Sequence, residues 1–204
     1  MLHKNTPKLW LKKISTATLK GGHKFGMERI SSRVYTNSFK KTKKMEKILE
    51  KKAVKRVRNI ISKFDSNLSI IVLNNTARTA KDASNSLGCE IGAIVKSLLF
   101  KVEEYFLICL VAGDKRCSLN KLKKILNKKD VRMASANEVK ENTGFSIGGV
   151  SPVGHIKKLD VLIDKSLDRF KHVFVAGGHP NCIFKINYSD LVKITDGLEK
   201  ELSE

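Results

Sequence analysis

Apolar and polar positions follow two different periods along the chain, which together predict a domain of both helices and strands. Between Glu46 and Phe64, apolar side chains recur every three or four residues with lysines and arginines between them, which predicts one amphipathic helix. Residues 94–102 and 105–113 are almost continuously apolar, and the charged pair Glu103 and Glu104 separates them. This arrangement predicts two paired central strands.

Shorter segments carry helix-end and strand signals. Residues 118–126 predict a helix capped by Ser118, and the S-x-x-E sequence at 135–138 predicts a capping box that opens a helix ending at Gly144. The remaining segments are a strand at 69–73, a short helix at 79–88 ended by Gly88, strands at 161–164, 172–178 and 182–186, and a final helix at 188–195. Strict βαβ alternation is missing, so we expect an α/β (α+β) fold with a mixed, curled sheet around a pocket and helices on its sides.

The first 44 residues differ from the rest of the chain. They hold 12 basic residues and the single acidic residue Glu28, and no apolar period persists in them. This composition predicts a disordered extension and fits three interpretations equally: an organellar transit peptide, an RNA-contacting tail, or a wrongly assigned start with translation beginning at Met45. We therefore expect the globular domain to span residues 45–204.

The net charge of +20 favours a polyanionic partner, and nucleic acid is the leading class. A lysine-rich genome is the alternative explanation, since Lys, Asn and Ile are all abundant. No apolar run approaches the roughly 20 residues that span a bilayer, so we expect a soluble protein.

The four cysteines predict neither a metal site nor a disulfide framework. Cys89, Cys109, Cys117 and Cys182 form no C-x-x-C pair and have no histidine at metal-ligand spacing. We expect reduced thiols in an intracellular compartment, no metal and no cofactor. Cys109 lies in an apolar strand and is interpreted as a small buried hydrophobic residue.

Lys96 is the anomaly of the first central strand, because its neighbours are mostly apolar. An unpaired ammonium is costly to bury, so Lys96 must either find a partner, line a polar cavity, or extend its charged end to water from an edge position. Strand alternation places it on the face opposite Ser97.

A glycine-rich stretch, "GFSIGGVSPVGH", covers residues 144–155. Phe145, Ile147, Val150 and Val153 alternate with its glycines, which indicates a shaped loop with an apolar lining rather than a flexible linker. Glycines allow close approach of the backbone to a ligand, and Pro152 restrains the chain, so the loop could direct main-chain N–H groups into a cavity. Its spacing matches neither a P-loop nor a dinucleotide fingerprint.

Five segments in order, "GCEIGAIVKSLLF", "FLICLVAGDKR", "TGFSIGGVSPVGH", "LID" and "FVAGGHPNCIFKI", closely resemble the YbaK/prolyl-tRNA-synthetase-associated editing domain family. The resemblance runs from about Val54 to Thr195. It implies a free-standing hydrolase that removes a wrongly attached amino acid from tRNA, usually proline tRNA. It also implies tRNA and prolyl-tRNA synthetase as partners and a cytoplasmic protein, with organellar targeting by residues 1–44 left open.

The resemblance also implies the site residues. Lys96 matches the functional lysine of the family, which binds the terminal phosphate or the aminoacyl end, and the loop from Gly148 to Pro152 matches the G-x-x-x-P segment that holds the aminoacyl ester. We therefore assign a catalytic set of Lys96, Gly148, Gly149 and Ser151, and a substrate-binding set of Ser97, Ile147, Val150, Pro152, His155, Gly177, Gly178 and His179. An oriented water is the expected nucleophile.

Three residues have open roles. His155 and His179 are either acids or bases, or merely ends of turns. Asp164 either orients Lys96 or caps the following helix, and the cap is favoured.

Two departures from the family pattern bear on the substrate. Members that remove cysteine from proline tRNA carry an acidic residue where this chain has Ile183 and a threonine where it has Ser97. This favours a small aliphatic or hydroxylated amino acid, such as alanine, 2-aminobutyrate, serine or threonine. A tRNA-binding module without hydrolytic activity, a hydrolase of another acyl ester and a Cys-tRNA(Pro) deacylase are the alternatives.

Overall fold

The computed structural model describes residues 32–74 and 78–204. Residues 41–204 form one compact unit, and residues 32–40 are helical. The described helices are α1 (Ser32–Leu49), α2 (Lys52–Phe64), α3 (Ala80–Leu87), α4 (Leu119–Leu126), α5 (Ala136–Thr143) and α6 (Tyr188–Thr195). The described strands are β1 (Ile71–Val72), β2 (Val95–Val102), β3 (Tyr105–Ala112), β4 (Val131–Met133), β5 (Asp160–Asp164), β6 (His172–Ala176), β7 (Cys182–Asn187) and β8 (Leu198–Lys200).

The strands divide between two sheets. One has the order β1-β7-β6 and is antiparallel, and the other has the order β4-β2-β3-β5-β8 and is mixed, since β3, β5 and β8 run parallel to one another. A parallel bridge joins Ile94, the residue before β2, to Phe174 of β6 where the two sheets meet. The mixed α/β architecture expected from the sequence is therefore confirmed, with the strands shared between two sheets.

The five-stranded sheet has a hydrophobic core on each face. Val95 and Leu99 of β2 face the same core as Val57 and Ile61 of α2, whereas Phe100 of β2 faces a second core around Leu122 of α4. Because side chains alternate along a strand, the continuous apolar run of β2 serves both cores.

The predicted single helix from Glu46 to Phe64 is wrong, because the chain leaves helical geometry at Lys51. Lys51 has φ −62° and ψ 135°, an extended conformation that separates α1 from α2. The break allows Ile48 of α1 and Val54 of α2 to pack with Cys182 in one cluster. Tertiary packing thus overrides an apolar period that continues through the break.

The helix caps predicted from the sequence are present at some helix ends and absent at another. Ser135 and Glu138 form the predicted capping box, and α5 ends at Gly144 with φ 73°. Gly88 ends α3 with φ 64°, also as predicted. Ser118 occupies the N-cap position of α4 but its side chain makes no capping bond, so the expected side-chain cap is absent there. Its N–H instead donates to the carbonyl of Leu202 at 2.8 Å.

Asp164 anchors the end of the chain, so the favoured capping role is wrong. It precedes a 3₁₀ turn, but its side chain makes no capping bond and accepts hydrogen bonds from the N–H groups of Leu202 at 2.8 Å and Ser203 at 3.1 Å. The hydroxyls of Ser203 and Ser166 also donate to it. Burial alone would raise the pKa of Asp164, but these four hydrogen bonds outweigh it and hold the pKa below its usual range.

Asp164→Ala should lower the free energy of unfolding by about 3 kcal/mol at pH 7, because buried donors lose their acceptor. A carboxyl whose pKa is lowered by folding stabilises the protein above its unfolded pKa of about 4, and this contribution disappears as the pH falls through the folded pKa. The difference in free energy of unfolding between wild type and variant should therefore become smaller as the pH falls. Urea denaturation at pH 7 and pH 3 measures it, with Asp160→Ala, an exposed residue of the same strand, as control. An unchanged difference at pH 3 would contradict this account.

The predicted extension falls largely outside the described residues, and residues 32–44 belong to α1. A domain boundary at residue 45 stays a prediction. Over the described ranges, no helix is long and apolar enough to cross a membrane.

Candidate active site

A cavity of about 510 Å³ lies where the two sheets meet. Its wall combines β2, the start of α3, the loop at 147–150, and residues from β6 and β7. Lys96, Ser97, Ile147, Gly148 and Val150 from the predicted site line it. The fold thus brings five predicted residues from two distant segments to one concave surface.

The open edge of β2 forms one side of the cavity. Strand β4 pairs with Phe100–Val102, and the N–H of Ala134 donates to the carbonyl of Leu99 at 2.9 Å. Residues 95–98 therefore extend beyond the end of β4, and they line the cavity. Main-chain groups alternate in direction along a strand, so Ser97 directs its N–H and C=O to the same edge as Leu99. This edge offers a ligand a main-chain donor and acceptor.

Lys96 lies partly buried in the cavity wall, on the strand face opposite Ser97 as predicted. Its ammonium donates to the carbonyl of Lys115 in the loop after β3. Burial lowers the pKa of Lys96 below its usual range, and the nearby carboxylate of Asp114 partly opposes this shift. Asp114 itself is bound by Arg169, with distances of 2.9 and 3.1 Å from Nη2 to its two oxygens. The lysine is thus positioned by a neutral carbonyl and keeps its charge available for an anionic or polarised ligand group.

Ser97 lines the cavity, but its hydroxyl is buried. The Oγ has no hydrogen-bond partner among the described residues. A buried hydroxyl without a partner costs free energy.

The glycine loop has two different roles at adjacent positions. Gly148 lines the cavity with φ 85°, and a Cβ added there would lie 3.3 Å from the Cα of Arg78. Gly149 does not line the cavity, and an added Cβ would lie 2.8 Å from the Cα and carbonyl carbon of His179. Gly149 is therefore the point where the loop meets the turn at 177–180.

Arg56 of α2, which the sequence analysis did not identify, anchors the base of this loop. Its Nε donates to the carbonyl of Gly154 at 2.9 Å, and its Nη2 donates to the carbonyl of Thr143 at 3.3 Å. The guanidinium also lies 5.1 Å from the ring centre of Phe145. These contacts close both ends of the loop against α2.

Ser151, Pro152 and His155 lie outside the cavity lining. Ser151 and Pro152 are buried, and the Ser151 hydroxyl accepts from the N–H of Val153 at 3.4 Å. Nε2 of His155 lies 2.8 Å from the carbonyl oxygen of Ser151, and burial lowers the pKa of His155. These contacts favour the structural interpretation of His155, as a residue that closes the turn.

Gly177, Gly178 and His179 also lie outside the lining, although their neighbours Ala176 and Pro180 belong to it. A Cβ added at Gly178, which has φ 90°, would lie 2.9 Å from the carbonyl oxygen of Ala53. This turn therefore sets the position of the cavity wall through close contacts with α2.

Both ring nitrogens of His179 have polar neighbours. Nδ1 accepts from the N–H of Asn181 at 3.1 Å, and Nε2 lies 3.1 Å from Nζ of Lys51. Burial, and next the charge of Lys51, lower the pKa of His179. These contacts favour a structural role for His179 in the turn, outside the cavity lining, over a role as an acid or base.

Several cavity residues escaped the sequence analysis. Arg78 and Lys81 flank the start of α3, and Met133 is the last residue of β4, opposite Phe100 of β2. Thr79 between them caps α3, since its side chain accepts from the N–H of Asp82 at 3.1 Å. None of the described lining residues is acidic, so the cavity has a positive character suited to an anionic ligand. Over the described ranges, His, Cys, Asp and Glu form no group of three that could hold a metal ion.

Comparison with known proteins places the cavity within a recognised domain. A family profile described as an aminoacyl-tRNA editing domain matches residues 74–194. A protein of Bacillus subtilis, the uncharacterised protein YwhH, is 31% identical over 140 residues, which cover 68% of this chain and 88% of that protein.

Two further similarities concern prolyl-tRNA synthetase. The proline–tRNA ligase of Thermosipho melanesiensis is 32% identical over 138 residues, which cover 62% of this chain but 24% of the ligase. A crystal structure described as a candidate trans-editing enzyme for prolyl-tRNA synthetase is 35% identical with a TM-score of 0.71 and covers 76% of this chain and 98% of that one. The chain thus resembles a fraction of the ligase and nearly the whole of the smaller proteins.

Proposed function

We propose that this chain, which belongs to the aminoacyl-tRNA editing domain family, hydrolyses the ester bond of tRNA that carries the wrong amino acid. The observation that carries the proposal is the cavity shared by Lys96, the open edge of β2 and the loop at Gly148. It combines a cation, main-chain polar groups and apolar walls in one concave site, as recognition of an aminoacyl ester requires.

Hydrolysis needs an oriented water and stabilisation of the charge that develops on the ester carbonyl oxygen. In the proposed reaction, the water oxygen attacks the carbonyl carbon, and the bond to the ribose oxygen then breaks. The water supplies one proton to the ribose oxygen, and a free amino acid and tRNA are released. Main-chain N–H groups at the β2 edge and at the glycine loop, together with the ammonium of Lys96, supply the electrostatic stabilisation.

The proposed substrate is proline tRNA charged with a small non-cognate amino acid. A binding pocket gains only about 1–3 kcal/mol per methylene, so a synthetase cannot strongly exclude smaller amino acids and a second hydrolytic site is useful. The similarity to a proline–tRNA ligase supports the choice of tRNA. Alanine, 2-aminobutyrate, serine and threonine are the proposed amino acids. Association with prolyl-tRNA synthetase in the cytoplasm completes the proposal.

A deacylation screen tests this function. Proline, alanine and serine tRNAs, each charged in turn with proline, alanine, serine, threonine, 2-aminobutyrate or cysteine, are incubated with the protein, and release of the amino acid is followed. We expect the fastest release from proline tRNA that carries a small non-cognate residue, and little release of proline itself. Fast release of cysteine would favour the Cys-tRNA(Pro) alternative. Binding without release from any of the tRNAs would overturn the proposal in favour of a non-catalytic tRNA-binding module.

A further inference from the structure

Positive charge is densest in residues 41–64, which we call the basic segment. It holds ten basic and two acidic residues, whereas residues 1–40 hold nine basic and one acidic residue and residues 65–204 hold 21 basic and 17 acidic residues. A lysine-rich genome would spread its excess over the whole chain. The concentration in 24 residues therefore needs a local explanation.

Most of this charge faces solvent. Lys47, Lys52 and Lys63 are exposed, and the ion pair that the segment forms within the described structure joins Lys55 to Glu50 at 2.5 Å. Carboxylates of the domain therefore leave the charge of the segment largely uncompensated, and it is available to a partner.

The partner is not a membrane surface, because the apolar face of α2 is already occupied. Val54, Val57 and Ile61 are fully buried against the core and the sheets. An amphipathic helix that lies on a bilayer must insert that face into the lipid. Seven lysines of the segment are exposed, and the exposed apolar side chains of α2 are Ile60 and Phe64. A surface dominated by lysines, with its main apolar face buried, fits a phosphate backbone.

The segment also lies beside the cavity. Lys51 contacts His179, and the carbonyl of Ala53 meets Gly178 so closely that a Cβ there would lie 2.9 Å away. Pro180, which follows His179 in that turn, belongs to the cavity wall. A nucleic acid held along α2 would thus lie beside the turn that contributes to the cavity wall.

We infer that the basic segment binds the phosphate backbone of the tRNA acceptor end whose charged terminus enters the cavity. This inference rests on the proposed function for the identity of the nucleic acid. The basic segment lies outside residues 74–194, so the family match does not supply the contact.

The test replaces three exposed lysines together, as Lys47→Gln, Lys52→Gln and Lys63→Gln. Affinity for uncharged proline tRNA is measured by filter binding from 50 to 200 mM salt. We expect binding at least about tenfold weaker, with a salt dependence shallower by about one for each lysine that contacts a phosphate. Hydrolysis of an aminoacylated CCA trinucleotide, which is too short to reach the segment, should stay at the wild-type rate.

The matched control removes the same charge elsewhere, as Lys124→Gln, Lys129→Gln and Lys200→Gln, three exposed residues outside the segment. It should bind tRNA within about twofold of wild type. The inference would be overturned if both triple variants lost tRNA affinity equally, or if neither lost it. It would also be overturned if the wild type bound an acidic protein or phosphatidylserine vesicles more tightly than tRNA. Binding is measured on uncharged tRNA, so loss of affinity in the first variant supports the inference whether or not the wild type hydrolyses an ester. Absence of ester hydrolysis by the wild type would overturn the proposed function alone.

Discussion

Lys96→Ala is expected to lower kcat/KM for mischarged tRNA at least about 100-fold while the protein stays folded, because removal of one preorganised charge-stabilising donor typically costs that much. The ammonium is held in the cavity wall by the carbonyl of Lys115, and its loss leaves the apolar packing of β2 intact. Lys96→Arg should not restore the full rate, since a guanidinium differs in shape and hydration from an ammonium.

Lys101→Ala is the matched control for this prediction. Lys101 lies on the same strand but outside the cavity lining, so its removal should leave the rate near that of wild type. Single-turnover deacylation and thermal unfolding are measured for all variants. A Lys96→Ala protein that hydrolyses the ester at a rate near wild type would remove Lys96 from the site.

The pH dependence gives an independent check on Lys96. Burial lowers its pKa, so the ammonium is lost at a lower pH than that of an ordinary lysine, whose pKa is about 10.4. The enzyme-dependent rate, after subtraction of spontaneous ester hydrolysis, should fall as the pH rises through this lowered pKa. Lys101→Ala should show the same pH profile as wild type.

Gly149→Ala is expected to lower the deacylation rate at least about tenfold and the free energy of unfolding by about 1–3 kcal/mol, the usual cost of adding a carbon to a closely packed site. The added Cβ would lie 2.8 Å from main-chain atoms of His179, and a backbone cannot rotate away as a side chain can. The turn at 177–180 must therefore shift, and it carries Pro180 of the cavity wall with it. Although Gly149 itself does not line the cavity, its substitution is thus expected to change the shape of the cavity through this turn.

Gly88→Ala separates this effect from the general cost of replacing a glycine. Gly88 has φ 64°, and a Cβ there would meet no atom within 4 Å. The variant should lose about 1 kcal/mol of stability from backbone strain and keep its activity. Activities are compared at a temperature where all three proteins are folded. A Gly149→Ala protein with the wild-type rate would show that the contact between the loop and the turn does not shape the cavity.

The sequence by itself determined the features that depend on neighbouring residues. The apolar runs before and after Glu103 could only be paired strands, because a charged two-residue turn leaves no room for another connection. Ser135 and Glu138 predicted their capping box because both partners lie within one helical turn. Lys96 and the loop at Gly148 stood out because each interrupts its own local pattern, and both line the cavity.

Only the tertiary structure decided which distant segments meet. Nothing local to Gly149 indicates that His179 lies against it, since thirty residues separate them in the chain, and both a pocket and a positive φ were plausible reasons for that glycine. Arg78 enters the cavity, and Asp164 binds the backbone at Leu202, through contacts between elements far apart in sequence. The helix break at Lys51 belongs to the same class, because burial of Ile48 and Val54 in one cluster outweighs a continuous helical period. A local pattern specifies the period and the ends of an element, whereas close contact between two backbones depends on how complete elements pack.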